Sequence, residues 1–330
     1  MTFINLSSII EQYNNSILST NLCGSILNER NKKNIIYSLL NTSLEEFSKT
    51  NEIKLLDLSN NLINDTFMID ILDILFENKH LETLILNNNC ISDKGFQYME
   101  LFLKKNTLLK TISIASNKIG IDTIKILSDL INSNRNLTSI NLNNCSIDRN
   151  GCKILFNSIS QTNSSLVYLN LGKNILNIKS IVSCLELNTS LVYLNLSDTM
   201  KFNSDFIVSK IAKALEKNKT LRELDLSMNY ITTNGGKSIG RMLLVNRTLT
   251  DIHLNNNRID SIKWLDALKI NRTLNTLNIK DNCISVDKLL LLASSLRDSN
   301  CAIEINCYEE DSLHDTVYIS GGNNIMVSYV

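Results

Sequence analysis

One motif, Leu-x-x-Leu-x-Leu-x-x-Asn, constrains the fold of this chain more than any other feature of the sequence. It occurs nine times, in most cases about 28 residues apart, and its first position falls at Ile53, Leu81, Leu109, Leu137, Leu166, Leu191, Leu221, Leu249 and Leu274. A period in this range is typical of a solenoid built from stacked strand-plus-helix units. Because a solenoid grows around one continuous core, the 330 residues are predicted to form a single repeat domain.

The spacing of apolar residues within a repeat predicts a short strand followed by a helix. Leu84 and Leu86 are two residues apart, so they point to the same side of a strand. Phe96, Met99 and Phe102 then follow at helical spacing. The sequence therefore predicts an α/β solenoid, a right-handed horseshoe with parallel strands on the concave face and helices on the convex face.

The asparagine at the end of each motif is predicted to hold neighbouring turns together. A buried amide there can bond backbone groups that would otherwise lack a partner. The positions of this ladder are Asn61, Asn89, Asn117, Cys145, Asn174, Thr199, Asn229, Asn257 and Asn282. Several Asn-x-Ser/Thr triplets, such as the one at Asn188, precede the strands, and we interpret them as part of the repeat and not as glycan acceptors.

The two ends of the chain depart from the repeat, as they should in a solenoid, whose terminal units would otherwise expose the core. We predict an N-terminal helical cap at 1–50, nine clear repeats and one degenerate repeat at 51–307, and a C-terminal cap at 308–330. Residues 316–320 and 325–330 alternate in polarity around Gly321-Gly322-Asn323-Asn324, which predicts a β-hairpin. A recruitment tail is the alternative for this segment.

Composition narrows the class of partner. The 33 basic and 33 acidic side chains cancel, which argues against a nucleic-acid or anionic-membrane surface. The eight cysteines include no Cys-x-x-Cys pair, so zinc and thioredoxin-type sites are not expected. Neither a signal peptide nor a membrane span of about 20 apolar residues is visible. We therefore expect a cytoplasmic protein with free thiols; export as an effector is the alternative.

The repeat unit resembles that of the ribonuclease-inhibitor-type leucine-rich repeat (LRR) family, over about residues 53–300. The resemblance implies a horseshoe that binds another protein on its concave sheet and adjacent loops. Members of the family include enzyme inhibitors, activators of the GTPase Ran and bacterial effectors. Of the eight cysteines, only Cys145 occupies a position of the asparagine ladder, and no arginine lies between Arg30 and Arg135. Neither ribonuclease inhibition nor the catalytic arginine of the Ran activators therefore carries over.

The register of the motif predicts which side chains a partner would meet on the concave face. Tyr168 and Tyr193 fall on adjacent strands, roughly 5 Å apart, and tyrosine is enriched at binding hot spots. The acidic residues Glu223, Asp225 and Asp251 follow along the sheet, with His253 beside them. An aromatic pair next to an acidic cluster suits a partner with a basic and apolar patch. The alternative is that the tyrosines merely stack on a wet surface.

The same residues offer little chemistry to an enzyme. The carboxylates stand on an open sheet with no loop to enclose a metal ion. The three histidines, His80, His253 and His314, have no matching nucleophile in a recognisable motif. We therefore predict a non-enzymatic protein-binding scaffold without cofactor, metal or small-molecule substrate. The alternatives are a regulator of a small GTPase and a microbial effector that targets a host protein.

Overall fold

The structure, a computed structural model, describes most of the repeat region and short parts of both ends. The described residues are 2–5, 53–160, 164–284, 288, 301–306 and 316–319. They belong to two compact units. Unit one comprises residues 1–158 and 163–166, and unit two comprises residues 159–162 and 167–330.

Unit one is a parallel sheet with helices between its strands. The strands are β1 (Thr2–Asn5), β2 (Ile53–Asp57), β3 (Thr83–Ile85), β4 (Thr111–Ser113) and β5 (Ser139–Asn141). The helices are α1 (Asp65–Glu77), α2 (Asp93–Lys105), α3 (Ile121–Ser133) and α4 (Arg149–Ile159), the last of which ends at the first residue of unit two. From β2 to β5, equivalent residues of successive repeats lie side by side.

Unit two repeats the same arrangement. Its strands are β6 (Tyr168–Asn170), β7 (Tyr193–Asn195), β8 (Glu223–Asp225), β9 (Asp251–His253), β10 (Thr276–Asn278), β11 (Ala302–Asn306) and β12 (Thr316–Ile319). Its helical elements are α5 (Ile178–Leu187), α6 (Ser204–Leu215), α7 (Thr233–Leu243) and a 3-10 helix, η1 (Lys263–Lys269). These four elements pack side by side in chain order.

The leucine positions of the motif form the core, as the sequence predicted. Leu84, Leu86 and Ile91 are almost completely buried, and so are Phe96 and Met99 on the inner face of α2. Equivalent positions are buried in the other described repeats. Burial of these apolar faces supplies the main driving force for stacking of the repeats.

The predicted asparagine ladder is confirmed. Asn257 is buried, and its Oδ1 accepts hydrogen bonds from the backbone N–H groups of Asn229 and Ile231 at 3.0 and 2.9 Å. Its Nδ2 donates to the carbonyl oxygens of Leu226 and Leu254 at 3.1 and 2.8 Å. Asn89 makes the corresponding four bonds in unit one. One amide thus satisfies backbone groups of two successive turns.

A second set of buried asparagines was not predicted as a structural element. Asn188 follows α5, and its Oδ1 accepts from the N–H groups of Ser190 and Leu191 at 3.0 and 2.7 Å. Its Nδ2 donates to the carbonyl oxygen of Ile159 at 2.8 Å. The further members in unit two are Asn218, Asn246 and Asn271. These residues begin Asn-x-Ser/Thr triplets and are at most 7% exposed, so a glycan could not reach them in the folded chain.

Aspartates connect the start of one helix to the next repeat. Asp205, in the first turn of α6, accepts hydrogen bonds from the Thr232 N–H and hydroxyl groups at 2.8 and 2.5 Å. The N–H of Gly235 donates to the same carboxylate at 3.1 Å. A Cβ on Gly235 would stand 2.7 Å from the Asp205 oxygen, so the contact requires glycine. The glycines that follow several motifs are explained by this close approach.

The described parts of the ends add details that the sequence did not predict. Within the segment 1–50, for which the sequence predicts a helical cap, the strand β1 lies parallel to β2 at Thr2–Asn5. The rest of the predicted helical cap lies outside the described residues. At the other end, the degenerate motif forms β11, and β12 pairs antiparallel with it. The predicted hairpin partner of 316–320, residues 325–330, also lies outside the described residues, so that hairpin stays a prediction.

Removal of one ladder amide tests its structural role. Asn257→Ala leaves the two buried N–H groups of Asn229 and Ile231 without an acceptor, at a cost of about 1–3 kcal/mol each. We expect the free energy of unfolding, measured by urea titration, to fall by roughly 2–5 kcal/mol. The control Asn275→Ala changes an exposed asparagine beside β10 and should alter stability by less than about 0.5 kcal/mol. Equal losses in the two variants would contradict the ladder's role.

Candidate partner-binding surface

The candidate surface lies on the open face of the sheet in unit two, on the side away from the core. The central residues of β6 to β9 are buried leucine or isoleucine, and this anchors each strand. Strand residues alternate sides, so the residues before and after each anchor face outward. The structure thus gives two rows in register. The first row is Tyr168, Tyr193, Glu223 and Asp251, and the second row is Asn170, Asn195, Asp225 and His253.

The six residues predicted for this surface therefore share one face, and the two tyrosines touch. The rings of Tyr168 and Tyr193 stack with centroids 4.3 Å apart and planes 8° from parallel. Both residues are half-buried, so part of each ring remains open to solvent. The parallel strand pairing fixes this geometry, because it places the two Cα atoms directly side by side.

The acidic residues of the surface differ in how strongly they are already bonded. Both oxygens of Asp225 are occupied: one accepts from the Asn195 amide at 2.8 Å, and the other from the N–H and hydroxyl of Ser227 at 2.9 and 2.6 Å. Glu223 Oε1 lies 3.2 Å from His253 Nε2. No hydrogen bond to the Asp251 carboxylate is found among the described residues. Asp251 is therefore the acid with most capacity to bind a partner's cation.

Asn195 is the residue of this surface that the sequence reasoning did not select. Its Nδ2 donates to Asp225 and lies 3.4 Å from the Tyr193 hydroxyl, so it connects the aromatic pair to the acidic cluster. Its position in the second row was visible in the register, but its contacts depend on side-chain conformation. Near Asp251, burial raises the pKa of the Cys301 thiol to about 12, and the charge of Asp251 adds to the shift.

Unit one offers a plainer face at the equivalent positions. There the first row reads Leu55, Thr83, Thr111 and Ser139, and it contains neither an aromatic pair nor an acid. The stacked tyrosines and the first-row acids are therefore a local property of unit two, whereas β2 to β5 of unit one carry an acid, Asp57, only in the second row.

The described residues show neither a metal cluster nor a membrane helix. Within them, no group of three or more His, Cys, Asp and Glu side chains is arranged to hold a metal ion. The helices in that part of the chain lack the combined length and apolar character that a membrane crossing needs. His314, the third histidine, lies outside the described residues.

Comparisons with known proteins agree with the repeat architecture. A family model described as "Leucine Rich repeat" matches residues 77–99 and 217–240, each of which contains one strand and much of the following helix. The mouse NACHT, LRR and PYD domains-containing protein 4C is 24% identical over 261 residues, which is 77% of this chain. The chain spans about a quarter, 26%, of the length of that curated relative.

Two solved structures are also similar to this chain. An internalin, inlF, from Listeria monocytogenes is 16% identical, with a TM-score of 0.46 over 78% of this chain and 75% of its own. The leiomodin-1 actin-binding site 2 is 19% identical, with a TM-score of 0.35 over 40% of this chain and 78% of its own.

The strand–helix units, stacked through buried asparagines, define a repeat protein of the α/β solenoid class. The nine-fold motif, together with the matches to the family model and to the mouse relative, supports a leucine-rich repeat family for this chain. The ribonuclease-inhibitor subtype stays a prediction.

The stacked tyrosines give a test of the surface geometry. Burial raises the pKa of the Tyr193 phenol well above its ordinary value of 10.0. The hydrogen bond from Asn195 lowers this pKa, whereas Tyr168 and Asp225 raise it further. The neutral phenol is favoured in the fold, so this contribution to stability is present below pH 10 and is lost as the pH rises above it. In an ultraviolet titration, the difference between wild type and Tyr193→Phe should show a step above pH 10. A step at or below pH 10 would mean that the ring is not buried.

Proposed function

We propose that this chain is a non-enzymatic scaffold that docks a partner protein on the open face of unit two. The observation that carries the proposal is the stacked pair of Tyr168 and Tyr193, which is half-exposed and borders Glu223, with Asp251 on the next strand. Large aromatic side chains on a surface are frequent hot spots, because they bury much area and lose little conformational entropy on binding.

The chemistry of the surface indicates the kind of partner that fits. The aromatic pair offers an apolar platform, and the carboxylate of Asp251, two strands from Tyr193, offers a site for a lysine or arginine. Glu223, which already lies beside His253, extends the negative charge toward the tyrosines. A segment with one apolar anchor next to basic side chains would therefore match the surface. The charges should mainly set the rate of association and the specificity.

The strands that carry the surface are held before any partner arrives. Each of β6 to β9 has a fully buried central residue, and asparagines of the ladder fix the turns that follow β7, β8 and β9. A preformed surface loses less conformational entropy on binding than a flexible one. This supports a scaffold role, because the affinity then depends on complementarity and not on folding.

A paired substitution tests the proposal. In affinity capture from the native cell with quantitative mass spectrometry, Tyr168→Ala with Tyr193→Ala should reduce the specific partner at least tenfold, since two adjacent hot-spot residues are each worth about 2 kcal/mol or more. The melting temperature should change little, because both rings are partly exposed.

The matched control is Thr83→Ala with Thr111→Ala, which alters the equivalent pair on adjacent strands of unit one. This variant should retain the partner. Unchanged capture by the tyrosine variant, or equal loss in both variants, would contradict docking on this face.

A further inference from the structure

A groove lies on the helical side of unit two, between α7 and η1. Its volume is about 450 Å³, and its apolar lining comes from Leu244, Trp264, Ala267 and Ile270. The groove follows from a short repeat: the segment that starts at Leu249 has only a seven-residue 3-10 helix, whereas the preceding repeat has the α-helix α7. The proposed function does not use this side of the molecule.

Two glycines of α7 let Trp264 pack close to that helix. A Cβ on Gly240 would stand 2.7 Å from the Trp264 carbonyl oxygen, and a Cβ on Gly236 would stand 2.9 Å from the indole nitrogen. Trp264 is consequently only 6% exposed and forms the floor of the groove. The indole N–H has no hydrogen-bond partner among the described residues.

Aliphatic side chains remain exposed at and beside this groove. Ile270 is 60% exposed, Val245 54% and Leu244 42%. Val245 and Ile270 occupy equivalent positions in successive repeats, because each lies one residue before a buried asparagine. In the repeat that contains α6, the equivalent residue is a lysine, Lys217. Exposed apolar side chains at the edge of a groove are typical of an interaction site.

The rim of the groove is basic. Lys237, Arg241 and Lys263 line it, and none of them forms an ion pair with a carboxylate in the part of the chain that the structure describes. The one acid of the rim, Asp266, is bonded to Lys269 at 2.7 Å. Asp260 lies close enough to Lys237 for the two charges to interact. Arg241 and Lys263 therefore remain as the cations that a ligand can neutralise.

We propose that this groove binds an acidic amphipathic helix of a partner protein. Apolar side chains at helical spacing would fill the floor over Trp264, Ala267 and Ile270, as in other helix-in-groove complexes. Glutamate or aspartate on the flanks of that helix would pair with Arg241 and Lys263. Charge complementarity favours an acidic helix over a basic one, and the site is independent of the tyrosine surface.

The single tryptophan of the chain gives a direct readout of the groove. The probe is a synthetic peptide of about 18 residues, without tryptophan, with leucine at i, i+3, i+4 and i+7 and glutamate at most other positions. A second peptide carries lysine in place of each glutamate. We expect the acidic peptide to change the Trp264 fluorescence of the full chain saturably at micromolar concentration, and the basic peptide to bind at least tenfold more weakly.

Charge reversal identifies the rim. Arg241→Glu with Lys263→Glu should weaken the acidic peptide at least tenfold and strengthen the basic one. The control Lys179→Glu reverses an exposed lysine on α5 and should change neither affinity. The Tyr168→Ala, Tyr193→Ala variant should bind the acidic peptide normally, so that failure of this site and failure of the tyrosine surface are distinguishable. If the double reversal does not fold, Ile270→Ser at an exposed position should also weaken binding.

Four outcomes would overturn the proposal. The first is no saturable fluorescence change up to about 1 mM peptide, and the second is equal binding of the acidic and basic peptides. The third is a dimer, detected by sedimentation, that Ile270→Asp abolishes and that the acidic peptide does not dissociate. That result would mean that a second copy of the chain occupies the groove. Peptide binding that the double reversal and Ile270→Ser both leave unchanged would place the bound peptide elsewhere on the chain.

Discussion

The rest of this structure depends on the hydrogen bonds of buried asparagine side chains to the backbone. The described strands of the central repeats are only three residues long, and the chain turns away from the sheet immediately after each of them. The turns bury N–H and C=O groups that no strand or helix can satisfy. An asparagine amide carries two donors and an acceptor, so one side chain can satisfy groups of two successive turns. Apolar burial drives the repeats together, but these amides fix the register in which they stack.

A second set of asparagines does the same at the opposite end of each strand. Asn218 and Asn246 each connect the residues before a strand to a carbonyl oxygen of the preceding repeat. Both ends of the strand are held by these buried amides, and outward-facing residues such as Asp225 add a hydrogen bond to the turn, from the Ser227 N–H at 2.9 Å. In unit two the outward-facing residues also include the stacked tyrosines and the acidic cluster. The same short strands thus carry both the buried core residues and the candidate surface.

Much of the fold was predictable because it is periodic. The register of the motif identified the buried leucines, the ladder and the outward rows, and it placed Tyr168 beside Tyr193. The second asparagine set was hidden in the Asn-x-Ser/Thr triplets, which were recognised as repetitive but not as buried. Its hydrogen bonds connect residues about 30 positions apart, so they depend on stacking that a local pattern does not contain.

Other features could not be predicted from the motif for different physical reasons. The strand β1 pairs with β2 across about 50 residues of sequence and lacks the full motif. The bonds of Asn195 to Asp225 and Tyr193 depend on side-chain conformation. The groove over Trp264 depends on a shortened repeat and on close packing of Trp264 against Gly240. The short spacing from Leu249 to Leu274 indicates the first of these, but the sequence does not indicate the second.

Amide hydrogen exchange measures the central claim most directly. Asn229, Ile231 and Ile259 lie in turns outside the strands and helices, where exposed amides exchange quickly, yet the N–H of each donates to a ladder asparagine. If the ladder holds the stack, these three amides should exchange as slowly as those of β8 and β9 in the free protein. Exchange at the rate of exposed loop amides would show that the buried asparagines do not hold the turns, and would contradict the account.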